Sequence, residues 1–361
     1  MSRLSRRPTL AWVAVVPVVV AACGGGTAPA TPPTLIDPAR TAAQLGAVSA
    51  PTATRLFLSF TLLAPYFFRV DSTALFPAAS LALPPLGRWS LPGRVPLPAP
   101  RSQGLTAALF PPGTLGKTFV WDTTAHGYVA SSDPGAPANG VRFVVYAVGG
   151  PLLVQPSLPL SPLGYVDLTD RSAGSQAIVG IGLVGTEGGA APVTYADYTL
   201  GGPGGSVAAT VSLAGFLTDG LTRLDLTSAL TSTLGALTTH TTADVAAQDV
   251  RLVETASLAG ATAAELTLDL SVTSGGETLR ATGRFVGDTA VQTAGGEFAI
   301  TVNDRPFATV TLGPHGYSYT AAPGVTLAAA DEQALDTLIA TSFGLFGLVL
   351  VLTIPGLVLG V

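Results

Sequence analysis

Residues 265–285 read ELTLDLSVTSGGETLRATGRF, and this stretch decides the fold. Leu266, Leu268, Leu270 and Val272 alternate with Thr267, Asp269 and Ser271. After Ser274-Gly275-Gly276, Leu279, Ala281, Gly283 and Phe285 alternate with Arg280, Thr282 and Arg284. A period of two sends successive side chains to opposite faces of a strand, so each run has one apolar and one polar face. The two glycines supply the backbone freedom a tight turn needs. The stretch therefore reads as an antiparallel hairpin with one dry face and one wet face.

The same rhythm extends in both directions. Downstream, Phe298, Ile300 and Val302 share a face of 298–303, bounded by Ala294-Gly295-Gly296 and Asn303-Asp304-Arg305-Pro306. Tyr317 and Tyr319 also share a face, which fits strand packing better than a sugar- or peptide-binding platform. Upstream, candidate strands are 118–122, 127–131, 141–148, 178–184 and 193–199. The threonines of 217–249 suit strands, with a short helix over 229–237 (ALTSTLGAL) as the alternative. No helical pattern long enough for a parallel crossover separates the late strands, so sequential antiparallel pairing is expected over 117–320.

The flanks of this β region are apolar. Asp37-Pro38 reads as a helix start, with aspartate capping free N–H groups and proline at the first helical position. Pro51 breaks that helix before a very apolar run, 54–68, which includes Phe57 and Phe60. Residues 77–112 hold nine prolines, so 71–116 is expected to be an irregular wrap against the body of the protein. The tail, 343–361 (FGLFGLVLVLTIPGLVLGV), has no charge. As a helix it spans about 28 Å, close to the thickness of a bilayer's hydrocarbon. Asp331 and Glu332 sit where a helix dipole favours negative charge. A core helix over 330–361, lying against the sheet and the 37–70 segment, is preferred to a second membrane anchor. Pro355-Gly356 interrupts the run, no basic residue follows it, and the 54–68 run supplies a matching apolar surface.

The fold expected is thus mainly β (α+β): a long curved antiparallel β-meander or half-barrel-like sheet covered by apolar N- and C-terminal helices. Its architecture is generically similar to the half-barrels of periplasmic lipid-carrier lipoproteins, although no motif carries that likeness.

The N-terminus adds an address. Arg3, Arg6 and Arg7 precede an apolar run, 9–20 (TLAWVAVVPVVV), and Val20-Ala21-Ala22-Cys23 is followed by three glycines. This pattern resembles the lipobox signal of bacterial lipoprotein precursors. The resemblance implies a signal peptide over 1–22, lipidation of Cys23 and a flexible tether over 23–36. Two or three acyl chains on Cys23 anchor stably, whereas one binds only marginally. Glycine rather than aspartate after the cysteine resembles lipoproteins sorted to the cell outer membrane, facing the periplasm.

Composition narrows the chemistry. Removing the three leader arginines from 17 basic residues leaves 14 against 22 acids, a net charge of −8 for the mature chain. With Lys117 its only lysine, it lacks the clustered cations a nucleic-acid binder needs. Cys23 is the only cysteine, so once lipidated it leaves no thiol for disulfides or zinc.

His126, His240 and His315 have no second ligand at metal spacing, and the lone His240 near Asp244 reads as a surface residue. No G-x-S-x-G elbow or phosphate-binding loop occurs, and Gly201-Gly202-Pro203-Gly204-Gly205 reads as a wide turn. Asp167 and Asp170, beside Arg171, read as turn or capping residues, and Arg280 and Arg284 as cross-strand partners of acids such as Asp269.

The expectation is a non-enzymatic lipid-anchored envelope protein with a structural or interaction role, with no cofactor and no metal. It meets the membrane through Cys23. The alternative is a carrier of a hydrophobic ligand held between sheet and helices, lined by Phe57, Phe60, Leu345 and Phe346. An enzyme of unknown class ranks third.

Overall fold

The hairpin of residues 265–285 lies within a far longer sheet. The structure is a computed structural model. It describes residues 32–68, 78–83, 87–92, 109–149, 155–174, 176–185, 191–202, 209–233, 236–260, 263–288, 293–313, 316–359 and 361. The leader, Cys23 and most of the tether lie outside the described residues.

In chain order the strands are β1 (Ala78–Leu83), β2 (Gly87–Pro92), β3 (Lys117–Asp122), β4 (Gly127–Ser131), β5 (Gly140–Tyr146) and β6 (Pro162–Asp170). Then come β7 (Ala177–Gly185), β8 (Val193–Gly202), β9 (Ala209–Thr218), β10 (Arg223–Thr233), β11 (Ala236–Val245) and β12 (Val250–Ala259). Last are β13 (Ala263–Ser274), β14 (Glu277–Asp288), β15 (Thr293–Val302), β16 (Arg305–Gly313) and β17 (Gly316–Ala321). Three α-helices flank them: α1 (Pro38–Ser49), α2 (Arg55–Leu63) and α3 (Ala329–Leu359).

Strands β5 to β17 follow one another across the sheet in sequence order, each antiparallel to the next. Turn chemistry fixes the register. Between β13 and β14, Ser274 faces Glu277, and Gly275 and Gly276 fill the turn at φ 55° and 81°. Between β15 and β16, Val302 faces Arg305, and Asn303 and Asp304 take φ 49° and 61°. Two consecutive positive angles match the strands' right-handed twist, and glycine, asparagine and aspartate adopt them most cheaply.

Two local expectations need correction, and one open alternative is settled. The sheet is not antiparallel throughout: β5 pairs in parallel with β3, and β4 becomes the edge strand. Residues 132–139 are long enough to carry the chain from β4 back past β3. Residues 229–233 belong to β10 and 236–237 to β11, so the strand reading holds over the helical alternative. Their β-branched threonines favour the pleated ladder that neighbours on both sides offer. Inside the proline-rich 71–116 segment, β1 and β2 form a separate antiparallel hairpin, with Leu83 opposite Gly87.

The dry face is built by the residues the alternation assigns to it. Leu266, Leu268, Leu270 and Val272 are all buried, as are Leu279, Phe285, Phe298 and Ile300 on the next strands. Over this face lies α3. Near its start, Asp336 accepts a hydrogen bond from the Tyr319 hydroxyl on β17. Further along, Phe343 meets Phe285 of β14 and Phe298 of β15 edge-on, at 5.7 and 5.9 Å between ring centroids. The Leu352 carbonyl then accepts from the Tyr198 hydroxyl on β8 at 3.3 Å. The helix therefore runs across the strands.

From Asp336 to Leu352 is about 24 Å of helix, at 1.5 Å per residue. The nine strand spacings from β17 to β8 measure about 43 Å along the sheet. The longer path must bend round the shorter one, so the sheet is concave towards α3.

A helix enclosed in this way needs no polar side. Among the described residues α3 is the one helix long and apolar enough to cross a membrane, and 72% of its most apolar stretch is buried within the protein. It carries on through Pro355 to Leu359, close to the 330–361 helix expected from the sequence. Burial of Leu352, Ile354 and Leu359 offsets the hydrogen bond that proline removes.

Helix α1 closes the far side of α3, where the Thr341 hydroxyl reaches the Leu45 carbonyl at 3.5 Å. Its start is as expected: Asp37 accepts from the Arg40 N–H at 2.9 Å, with Pro38 at the first position. Gln44 fastens the helix to the sheet by donating to the Gln248 carbonyl and accepting from Ser274, both at 2.8 Å. After α2, a 3-10 turn over Ala64–Phe68 stacks Phe67 on Phe143 of β5 at 4.5 Å.

Candidate functional site: a buried polar row beneath the C-terminal helix

Most of the dry face is hydrocarbon, and the exception lies at its middle. On β12, Val250, Leu252, Glu254, Ala256 and Leu258 share one parity, so the strand that buries Val250, Leu252 and Ala256 also buries a glutamate. Glu254 is fully buried. Thr241 of β11 stands directly opposite it, and Ser228 of β10 opposite Thr241. The Ser228 and Thr241 hydroxyls pair at 2.9 Å. From above, the Ser342 hydroxyl of α3 donates to Glu254 Oε2 at 2.9 Å.

Two polar atoms here have no hydrogen-bond partner: Glu254 Oε1 and, diagonally across on β11, Thr239 Oγ1. A carboxylate in such surroundings lacks the several hydrogen bonds that normally stabilise its charge. Burial accordingly pushes the Glu254 acid up to about 8, against a smaller opposing effect of the Ser342 bond. At neutral pH the group is mainly a carboxylic acid, which suits a structural or proton-exchanging role better than that of a fixed charge.

The residues singled out in the sequence fall elsewhere. Phe57 and Phe60 on α2, and Leu345 and Phe346 on α3, are all buried in one continuous core. Phe57 and Phe60 lie 6.1 Å apart between ring centroids. The concavity that the carrier alternative assigned to a hydrophobic ligand is occupied by side chains of α3. Cys23 and His315 lie outside the described residues.

His240 faces outward, with Nδ1 3.1 Å from the Thr255 hydroxyl. Asp244 is four residues along the same strand, about 13 Å away, so the two do not form a catalytic pair. Among the described residues, no three His, Cys, Asp or Glu side chains gather to hold a metal.

The acids of 167–170 sit on β6 and separate. Asp167 makes a two-pronged ion pair with Arg142, both contacts at 2.7 Å, while Asp170 accepts from the Ser172 N–H at 2.9 Å. Arg280 pairs with Asp269 at 2.8 and 2.6 Å, as the cross-strand reading expected. Arg284 lies 3.9 Å from Glu265. Tyr317 and Tyr319 face inward, and burial pushes the Tyr317 hydroxyl up to about 12. Asp331 accepts from the Ala328 N–H at 2.8 Å, holding the first turn of α3.

The buried glutamate was the residue the sequence reading missed. Its signal is an acid on the leucine parity of a clean alternation, with a serine inside the apolar run of α3. No family model, curated protein or solved structure matches this chain.

Proposed function

We propose that this is a non-enzymatic, lipid-anchored cell-envelope protein with a structural or interaction role. Leader 1–22 exports it, Cys23 carries the acyl chains, and the folded part stands in the periplasm on the outer membrane. The observation that carries the reading is the lipobox at Val20–Cys23, which closes the apolar leader and holds the only thiol. The fold is consistent with it. The sheet spends its concave face on its own helix, which leaves the outer face, with its threonines and Arg280–Asp269 pair, for contact with other molecules.

Labelled palmitate fed to expressing cells tests the anchor. Label should enter the wild-type chain and not Cys23→Ser, which should remain uncleaved or soluble. Label in the mutant, or release of the wild type from membranes by salt alone, contradicts the proposal.

A carrier of a hydrophobic ligand is the second reading. It is favoured by a concave apolar sheet whose cover is a single long helix, apolar on every side, that an aliphatic chain can imitate. Native mass spectrometry of the delipidated domain should then find a co-purifying lipid, and a bare polypeptide mass counts against it.

A further inference from the structure

A helix that is apolar on every side fits an apolar trough in many rotations and shifts, because hydrophobic contact is not directional. Among the described residues, three polar contacts tie α3 to the sheet: Tyr319 with Asp336 at one end, Tyr198 with the Leu352 carbonyl towards the other, and Glu254 with Ser342 between them. Only the middle contact joins a fully buried acid of the sheet to the helix. The groups facing Glu254 are Thr241 on β11, Leu270 on β13 and Ser342 on α3, none of them an acid or a base. Nothing nearby compensates a charge there, while a neutral carboxylic acid is tolerated.

We propose that Glu254 and Ser342 form a protonation-controlled latch: the neutral acid keeps α3 seated in the concavity, and the carboxylate frees the middle of the helix while the sheet stays folded. The proton leaves to solvent when water reaches the carboxyl, and no other group changes state. Release uncovers the apolar side of α3 around Phe346 and Val349 together with the dry face of β10–β12. Each strand keeps the hydrogen bonds of its neighbours, whereas α3 is bound to the sheet mainly by side chains, so the middle of the helix can open transiently while its two seated ends keep the sheet covered.

Amide hydrogen exchange of the full chain, read by mass spectrometry between pH 5 and 8, tests the latch. Wild type and Glu254→Gln are compared at each pH, so the intrinsic pH dependence of exchange cancels in their ratio. The amide keeps the shape and the bond to Ser342 but cannot ionise. Over residues 343–352 the wild-type-to-variant ratio should rise on the order of a hundredfold from pH 5 to 8, with β13–β14 peptides unchanged. A flat ratio overturns the latch, and so does an equal rise in helix and sheet, which is unfolding of the whole domain. Should Glu254→Gln fail to fold, Glu254→Met replaces it as the reference and the same rise is expected.

Discussion

Two polar contacts on one sheet, Arg280–Asp269 and Ser342–Glu254, look alike in length and differ in everything else. The first is 2.6 to 2.8 Å long, joins opposite charges, and leaves side chains 50% and 43% exposed. Water competes for both partners, so the pair contributes at most about 1 kcal/mol. The second, 2.9 Å long, lies on the adjacent strand β12 under α3, where a lone acid has lost its water and gained one hydroxyl. Bond length therefore says little about what a contact is worth. The face of the sheet decides, and the parity of the residue along the strand decides the face.

The harshest challenge to that contrast exchanges the faces. Leu268 and Asp269 are neighbours on β13, one buried and one half-buried on the opposite face. Leu268→Asp should cost roughly 3 kcal/mol or more by burying an unpaired carboxylate, read as a lowered denaturant midpoint.

Next in size is the pH response of Glu254. Its acid is raised from the usual carboxylate value of about 4.5 to about 8 in the folded protein. A raised value means the stabilising contribution is full below about pH 4.5, declines as pH rises and is gone above pH 8. Between pH 5 and 7 the loss is about 2 to 3 kcal/mol. Urea midpoints should therefore fall over that range more steeply for wild type than for Glu254→Gln. Parallel profiles for the two proteins would mean that Glu254 is not desolvated.

Removing the hydroxyl, Ser342→Ala, leaves the acid without a partner and should cost about 1 to 2 kcal/mol at pH 5 by the same assay. The smallest effect is expected on the wet face: Asp269→Asn should change stability by about half a kcal/mol or less, and less still in high salt.

The sheet was legible because its signal is local. Alternation over 265–285 and 298–303, with a two-glycine turn and Asn303-Asp304, suffices to place β13 to β15, and each signal works without knowledge of the rest of the chain. The parallel pairing of β3 with β5 was not legible, since it depends on which edge of β3 a distant strand reaches. Residues 229–237 were ambiguous because alanine and leucine suit a helix while their threonines suit a strand, and the neighbouring strands settle it.

For the site, the ligand-lining residues were chosen by hydrophobicity alone, a property that core and pocket share. The structure places Phe57, Phe60, Leu345 and Phe346 in the core. Glu254 was visible in principle as a violation of its strand's pattern. Ser342 becomes meaningful only when α3 is laid across β12.

The central claim is that α3 is the core of this fold, and the shortened chain 27–342, expressed without lipid, tests it most directly. Without residues 343–361 the concave face and the α2 segment lose their cover. The account predicts a product that aggregates or melts without a cooperative transition. A soluble monomer with a sharp thermal transition would contradict the account and make the tail a membrane anchor.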